Sequence, residues 1–197
     1  MQKTKTKMLV EGAAMVALAT VLSFIRVFKL PWGGSITLLS MLPIFIYSIR
    51  WGLKPGLTVS FAYSLVQFFQ GIMDGLFGWG LTPVMLVACI ILDYVGAFSV
   101  LGFAGIFRAK KNVVANLIGI GFATVLRFLF HFCSGVVIWK SYGELWGGFS
   151  TESSVLYSFL YNGAYMLPEM ILTMIGAAVL LSLPQTTKYL LNTDSNM

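Results

Sequence analysis

Asp93 and Tyr94 stand together inside the apolar run 79–107, where a charge is costly unless it faces protein or a water-filled cavity. In the next run Arg127, His131 and Ser134 fall at i, i+4 and i+7, and the run closes on Trp139. In the last run Tyr157, Tyr161 and Tyr165 recur every four residues, with Asn162 beside them and Glu169 one turn beyond Tyr165. On helices each of these spacings sets its residues along one face. The chemistry they offer is recognition. Asp93 suits a cation or an amine, Asn162 offers donor and acceptor to the edge of a heteroaromatic ring, and His131 and Trp139 offer flat faces for stacking. Together they fit a small, flat, nitrogen-rich, cationic ligand. A plainer reading is that the groups satisfy one another. Arg127 would then pair with Asp93 or Glu169, His131 would bond a backbone carbonyl, and the tyrosines would pack or form an interfacial belt. Residue by residue that reading suffices, but the whole set exceeds what cohesion of a helix bundle needs.

The elements that must carry these groups are membrane helices. Of the 197 residues 58% are hydrophobic and only 10% charged, with a mean hydropathy of +0.86, against about 25% charged in a typical soluble domain. A hydrocarbon layer of roughly 30 Å needs about 20 apolar residues per helical crossing. Six runs of that kind are present, from Met8 to Phe28, Ser35 to Trp51, Leu53 to Met73, Trp79 to Phe107, Val113 to Trp139 and Val155 to Leu183. They are continuous rather than alternating in polarity, so spanning strands are not expected. The expected class is all-α: a polytopic membrane protein of six transmembrane helices in one domain, 1–197. The first run follows Lys3, Lys5 and Lys7 but lacks a small-residue cleavage site, so it is expected to stay as the first helix. The second is the shortest and contains Pro43, which predicts a tilted or broken helix.

Charge gives the orientation. With the N-terminus inside, Lys3, Lys5, Lys7, Arg50, Lys54, Arg108, Lys110, Lys111 and Lys188 fall on the inner face, and only Arg26, Lys29 and Lys140 on the outer. That bias predicts two cytoplasmic termini. The net charge of +6 therefore reflects topology and attraction to lipid headgroups, and no partner nucleic acid is expected. One histidine and two unpaired cysteines, Cys89 and Cys133, exclude the usual structural zinc and haem patterns. No GxxxxGK[ST] or GxGxxG stretch is present, so the chain does not hydrolyse nucleotides itself. No resident cofactor, metal or catalytic group is expected.

Two loops could cover a pocket. "VFKLPWGGSITL" sets Trp32 ahead of Gly33 and Gly34, and "KSYGELWGGFSTESS" sets Trp146 ahead of two glycines. Glycine-flanked tryptophans could bend over a ligand as a lid or could anchor in headgroups.

The segments "PWGGSITLLSMLPIFIYSIRWGLKPGL", "LDYVGAF", "FHFCSGVVIW" and "YSFLYNGAYM" closely resemble the thiamine-specific substrate-binding subunits of energy-coupling-factor transporters. The likeness runs in order over most of the chain. It implies a subunit of the bacterial cell membrane that captures thiamine from outside. The vitamin would pass inward after the subunit docks on a transmembrane coupling protein driven by two cytoplasmic ATPases. Carried over, Asp93 is the counter-charge or acceptor, with Tyr94 beside it. His131 and Trp139 contact the rings, Tyr157 and Asn162 fix the aminopyrimidine, and Trp32 or the adjoining Gly34 covers the top. The family often has glutamate and lysine where this chain has Asp93 and Arg127; Arg127 stays in the candidate set, and Glu169 receives no role. The family also docks through small residues on the first helix, here Ala13 and Ala17, four apart on a face that lets another helix approach closely. Two alternatives stay open: a sibling subunit for another vitamin such as riboflavin, and a small intramembrane enzyme using His131 with Asp93 or Glu169 as acid and base.

Overall fold

The computed structural model describes residues 2–30, 33–110, 112–141 and 143–191. The chain runs α1 (Gln2–Phe24), β1 (Arg26–Lys29), β2 (Ser35–Thr37), α2 (Leu42–Trp51) and α3 (Leu53–Met73). There follow α4 (Pro83–Lys110), α5 (Val113–Trp139), β3 (Gly143–Trp146), β4 (Phe149–Thr151), α6 (Ser154–Ser182) and α7 (Pro184–Leu191). Among the described residues four helices are long and apolar enough to cross a membrane: α1 over Thr4–Phe24, α4, α5 and α6. Large apolar side chains cover the exterior, and polar ones are buried within an apolar core. Leu9, Val84, Val114, Ile118 and Val179 face outward, while Ser48, Ser60, Asn116, Thr124, Ser134, Glu169 and Thr173 are buried. Such a distribution suits a lipid exterior and a hydrogen-bonded interior.

Local sequence sets the helix starts. Thr82, Asn112 and Ser153 cap α4, α5 and α6 with side-chain oxygens that accept backbone N–H bonds, and Pro83 occupies the first turn of α4, where its missing N–H costs nothing. Pro43 sits in the same way at the start of α2. The second apolar run is thereby split, because Ser35–Thr37 pairs with Arg26–Lys29 as an antiparallel hairpin and only ten residues remain helical. The hairpin also ends α1 at Phe24, four residues short of the Phe28 expected from hydropathy. All ten residues of α2 are buried. At about 15 Å it is a core element, with α3 and α4 packed closely on it. Gly102 and Gly105 permit the crossing of α4, since a β-carbon at either would collide with the backbone at Leu57 or Ser48.

Two polar clusters mark opposite ends of the bundle. At one, Glu11 of α1 accepts from Trp51 Nε1 (2.9 Å) and Tyr189 Oη (2.7 Å) and pairs with Arg50 Nε (2.7 Å), joining α1, α2 and α7. At the other, Arg26 pairs with Asp74 just past α3, at 2.6 Å.

Candidate functional site

A cavity of about 820 Å³ opens at the Arg26–Asp74 end, where α1, α3 and α5 finish and α4 and α6 begin. Its volume lies within the roughly 300–1,000 Å³ usual for small-molecule sites. Asp93 of α4 is the hub of one wall. Its Oδ1 lies 2.9 Å from His131 Nδ1, and its Oδ2 accepts from Trp139 Nε1 (3.2 Å), from the Ser134 hydroxyl and from Cys89 Sγ (3.4 Å). A carboxylate accepts only, so the imidazole donates through Nδ1, and a neutral ring keeps Nε2 as an acceptor. That Nε2 is buried and unpartnered.

The wall depends on two wide π turns, over Ile90–Gly96 and Gly135–Trp139. In a regular α-helix the eight residues from His131 to Trp139 would overshoot the shared face by about 80°. The wider turn slows that rotation, and both indole and imidazole reach Asp93. Lys140, with φ of 45°, terminates the π turn.

α6 forms the facing wall. Tyr157 and Tyr161 stack at 6.1 Å between ring centroids, and Tyr165 stands edge-on to Tyr161 at 5.9 Å and to His131 at 6.5 Å. Asn162 lines the cavity with its polar atoms already engaged: Nδ2 donates to Ser158 O (2.9 Å), and Oδ1 accepts from Tyr165 Oη (2.9 Å). The first hairpin lies against this wall. The Gly34 N–H donates to Tyr161 Oη (3.0 Å), and a β-carbon at Gly34 would stand only 2.8 Å from Tyr165 Cδ1.

Beneath lies a second charged group. Arg127 Nη1 donates to Glu169 Oε2 (3.0 Å) and contacts Met41 Sδ (2.9 Å), and the guanidinium carbon sits 4.5 Å from the Phe98 ring centroid. Glu169 Oε1 accepts from Thr37 Oγ1, at the end of β2. Of the two carboxylates open to Arg127 from sequence, the structure selects Glu169. His131 bonds Asp93 rather than a backbone carbonyl.

α3 supplies a wall that its sequence did not announce. Gln67, Gln70, Gly71 and Asp74 line the cavity. Gln70 donates to Ser23 Oγ at 2.7 Å, whereas Gln67 Nε2 is buried without a partner. Two polar residues three apart in an apolar helix were the available signal. Trp79 packs edge-on against Trp139, 5.5 Å between centroids.

Gly34, Asp93, Tyr94, Arg127, His131, Trp139, Tyr157 and Asn162 all line the one cavity. Trp32 lies outside the described residues. Trp146 does not line the cavity and stacks on Phe149 of the second hairpin at 6.2 Å. Ala13 and Ala17 lie elsewhere, exposed on the outer face of α1. Among the described residues no group of three His, Cys, Asp or Glu side chains could hold a metal ion.

The geometry can be set beside known proteins. The family model described as thiamine transporter protein (Thia_YuaJ) matches residues 9–190. The thiamine transporter ThiT of Bacillus subtilis is 32% identical over 203 residues, 94% of each chain. ThiT of Lacticaseibacillus paracasei is 27% identical over 153 residues, covering 72% of this chain and 71% of the relative. The solved structure of ThiT from Listeria monocytogenes superposes with a TM-score of 0.71 at 25% identity, over 93% of this chain and 98% of that one.

Proposed function

This chain belongs to the thiamine transporter protein family, and from that premise we propose that the cavity under the first hairpin is its thiamine site. The protein is a multi-pass bacterial membrane protein that serves thiamine transport rather than catalysis. The observation that carries the site is convergence. His131, Ser134 and Trp139 of α5 all meet one carboxylate of α4, inside a cavity whose other wall holds Tyr157 and Asn162. Asp93 supplies the charge opposite the thiazolium, with the Tyr94 ring beside it. His131 and Trp139 give the ring faces, and His131 Nε2 accepts from a ligand amine. Tyr157 and Asn162 meet the aminopyrimidine, Asn162 by exchanging its bond to Tyr165. Gly34 and its hairpin cover the top, and Arg127 underlies the site.

The same reading gives the chain as a single substrate-binding domain, 1–197, crossing the lipid bilayer six times with both termini in the cytoplasm. The cavity then opens to the exterior. Having no nucleotide-binding motif of its own, the subunit depends on an energy-coupling-factor complex: a transmembrane coupling protein, met through Ala13 and Ala17, and two ATPases. These alanines are exposed on α1, as a helix-docking face requires. The test is to purify the full-length protein from cells without added vitamin, denature it and identify the released molecule by mass spectrometry. Thiamine is expected; recovery of a different vitamin in its place would refute the proposal.

A further inference from the structure

The buried Arg127–Glu169 pair is an expense the bundle does not need for cohesion, since charges removed from water are costly even when paired. Its position gives it a task. Arg127 stands one turn before His131 on α5, about 6 Å along the helix axis from the residue that bonds Asp93. Both Arg127 and Glu169 line the cavity. An uncompensated guanidinium there would repel a cationic ligand and offset part of the attraction of Asp93.

The charges around the cavity can be followed one at a time. At the mouth Arg26 and Asp74 neutralise each other at 2.6 Å, and Lys29 is exposed to solvent. Among the described residues the interior holds two carboxylates, Asp93 and Glu169, against the one guanidinium of Arg127. That leaves one negative charge without a guanidinium or ammonium beside it. It resides on Asp93, because Glu169 is spent on Arg127 at 3.0 Å. Thr37 fixes the Glu169 carboxylate through its other oxygen, and Thr37 in turn lies 2.6 Å from Ser40 Oγ. Met41 and Phe98, which also contact the guanidinium, carry no charge.

We propose that Glu169 is a specificity-determining residue, whose carboxylate holds and neutralises Arg127 beneath the cavity so that Asp93 faces the ligand as the single uncompensated charge. This rests on the thiamine reading and deepens it. Glu169 acts through Arg127 and through the field rather than by touching the ligand.

The test compares two ligands of one shape: thiamine, and the neutral analogue in which carbon replaces the thiazolium nitrogen. Binding of each is measured by calorimetry on the detergent-solubilised full-length protein, and the quantity read is the ratio of the two affinities. Glu169→Gln keeps the shape of the side chain and is expected to lower the preference for the cation about tenfold, as for a unit charge some 10 Å away at an effective dielectric of about 20. Arg127→Met leaves Glu169 unopposed and is expected to raise the same preference. Damage to packing would weaken both ligands together and leave the ratio unmoved. A ratio unchanged in either variant, or shifted in the same direction by both, overturns the proposal. If Glu169→Gln fails to fold, the direction of the Arg127→Met shift decides alone. A parent protein that binds neither ligand would instead overturn the thiamine reading.

Discussion

Replacing Asp93 with asparagine removes one charge and almost no volume, and its consequences can be worked from the four contacts of that side chain. In the parent, His131, Trp139, Ser134 and Cys89 all direct donors at the carboxylate. The amide keeps one oxygen, which can go on accepting from His131. Its NH2 then meets the Trp139 N–H and the Ser134 hydroxyl; the hydroxyl can turn to accept, but the indole cannot. One unpaired donor costs about 1–3 kcal/mol, and it is paid in the free protein, so it lowers thermal stability. The loss in binding is separate. A cation about 5 Å from the missing charge, at an effective dielectric of about 20, forfeits about 3 kcal/mol, equivalent to a hundredfold or more in Kd. Titration calorimetry on detergent-solubilised protein reads the affinity, and a thermal shift reads the stability. Thiamine affinity within threefold of the parent would refute the assignment of Asp93 as the counter-charge, whatever happened to Tm.

Other expectations follow from single contacts. Gln67→Leu removes a buried donor that has no partner in the protein, so it should weaken thiamine by about the 0.5–1.5 kcal/mol of one neutral hydrogen bond without lowering Tm; equal affinities in parent and variant would show that the amide does not face the ligand. Gly34→Ala places a methyl 2.8 Å from Tyr165 and 2.9 Å from Tyr161, and overpacking of about 1–3 kcal/mol should lift the hairpin from α6 and speed thiamine release in stopped-flow fluorescence; an unaltered off-rate would mean that the hairpin does not hold the ligand. Ala17→Trp enlarges an exposed position on α1, so the isolated subunit should bind thiamine as before while cells expressing it with its partners lose uptake. Retained uptake would move the docking face elsewhere.

The parts of this fold that hydropathy fixes are the ones whose structure is repetitive. α3 and α5 begin and end where the apolar runs do, at Leu53 and Met73 and at Val113 and Trp139. The face carrying Arg127, His131 and Ser134 follows from the helical repeat alone. Two kinds of feature were not legible. The first hairpin is built from residues as apolar as the helices beside it, so Ile25 to Phe28 read as helix; what decides otherwise is pairing with Ser35–Thr37, a contact no local window contains. The π turns at Ile90–Gly96 and Gly135–Trp139 shift the phase of α4 and α5, so convergence of Trp139 on Asp93 could be expected from the resemblance but not from spacing. Gln67 escaped notice for a related reason: beside Gln70 in an apolar helix, its lack of a protein partner shows only once the packing is known. Glu169 is the converse: the resemblance gave it no role and the sequence left its pairing with Arg127 as one of two choices, which its contacts to Arg127 and Thr37 decide.

The most direct test of the cavity as a thiamine site is calorimetric titration of the detergent-solubilised full-length protein with thiamine, riboflavin and biotin in parallel. One equivalent of thiamine should bind, with no heat of binding from the other two. Saturable binding of riboflavin or biotin, with none of thiamine, would contradict it.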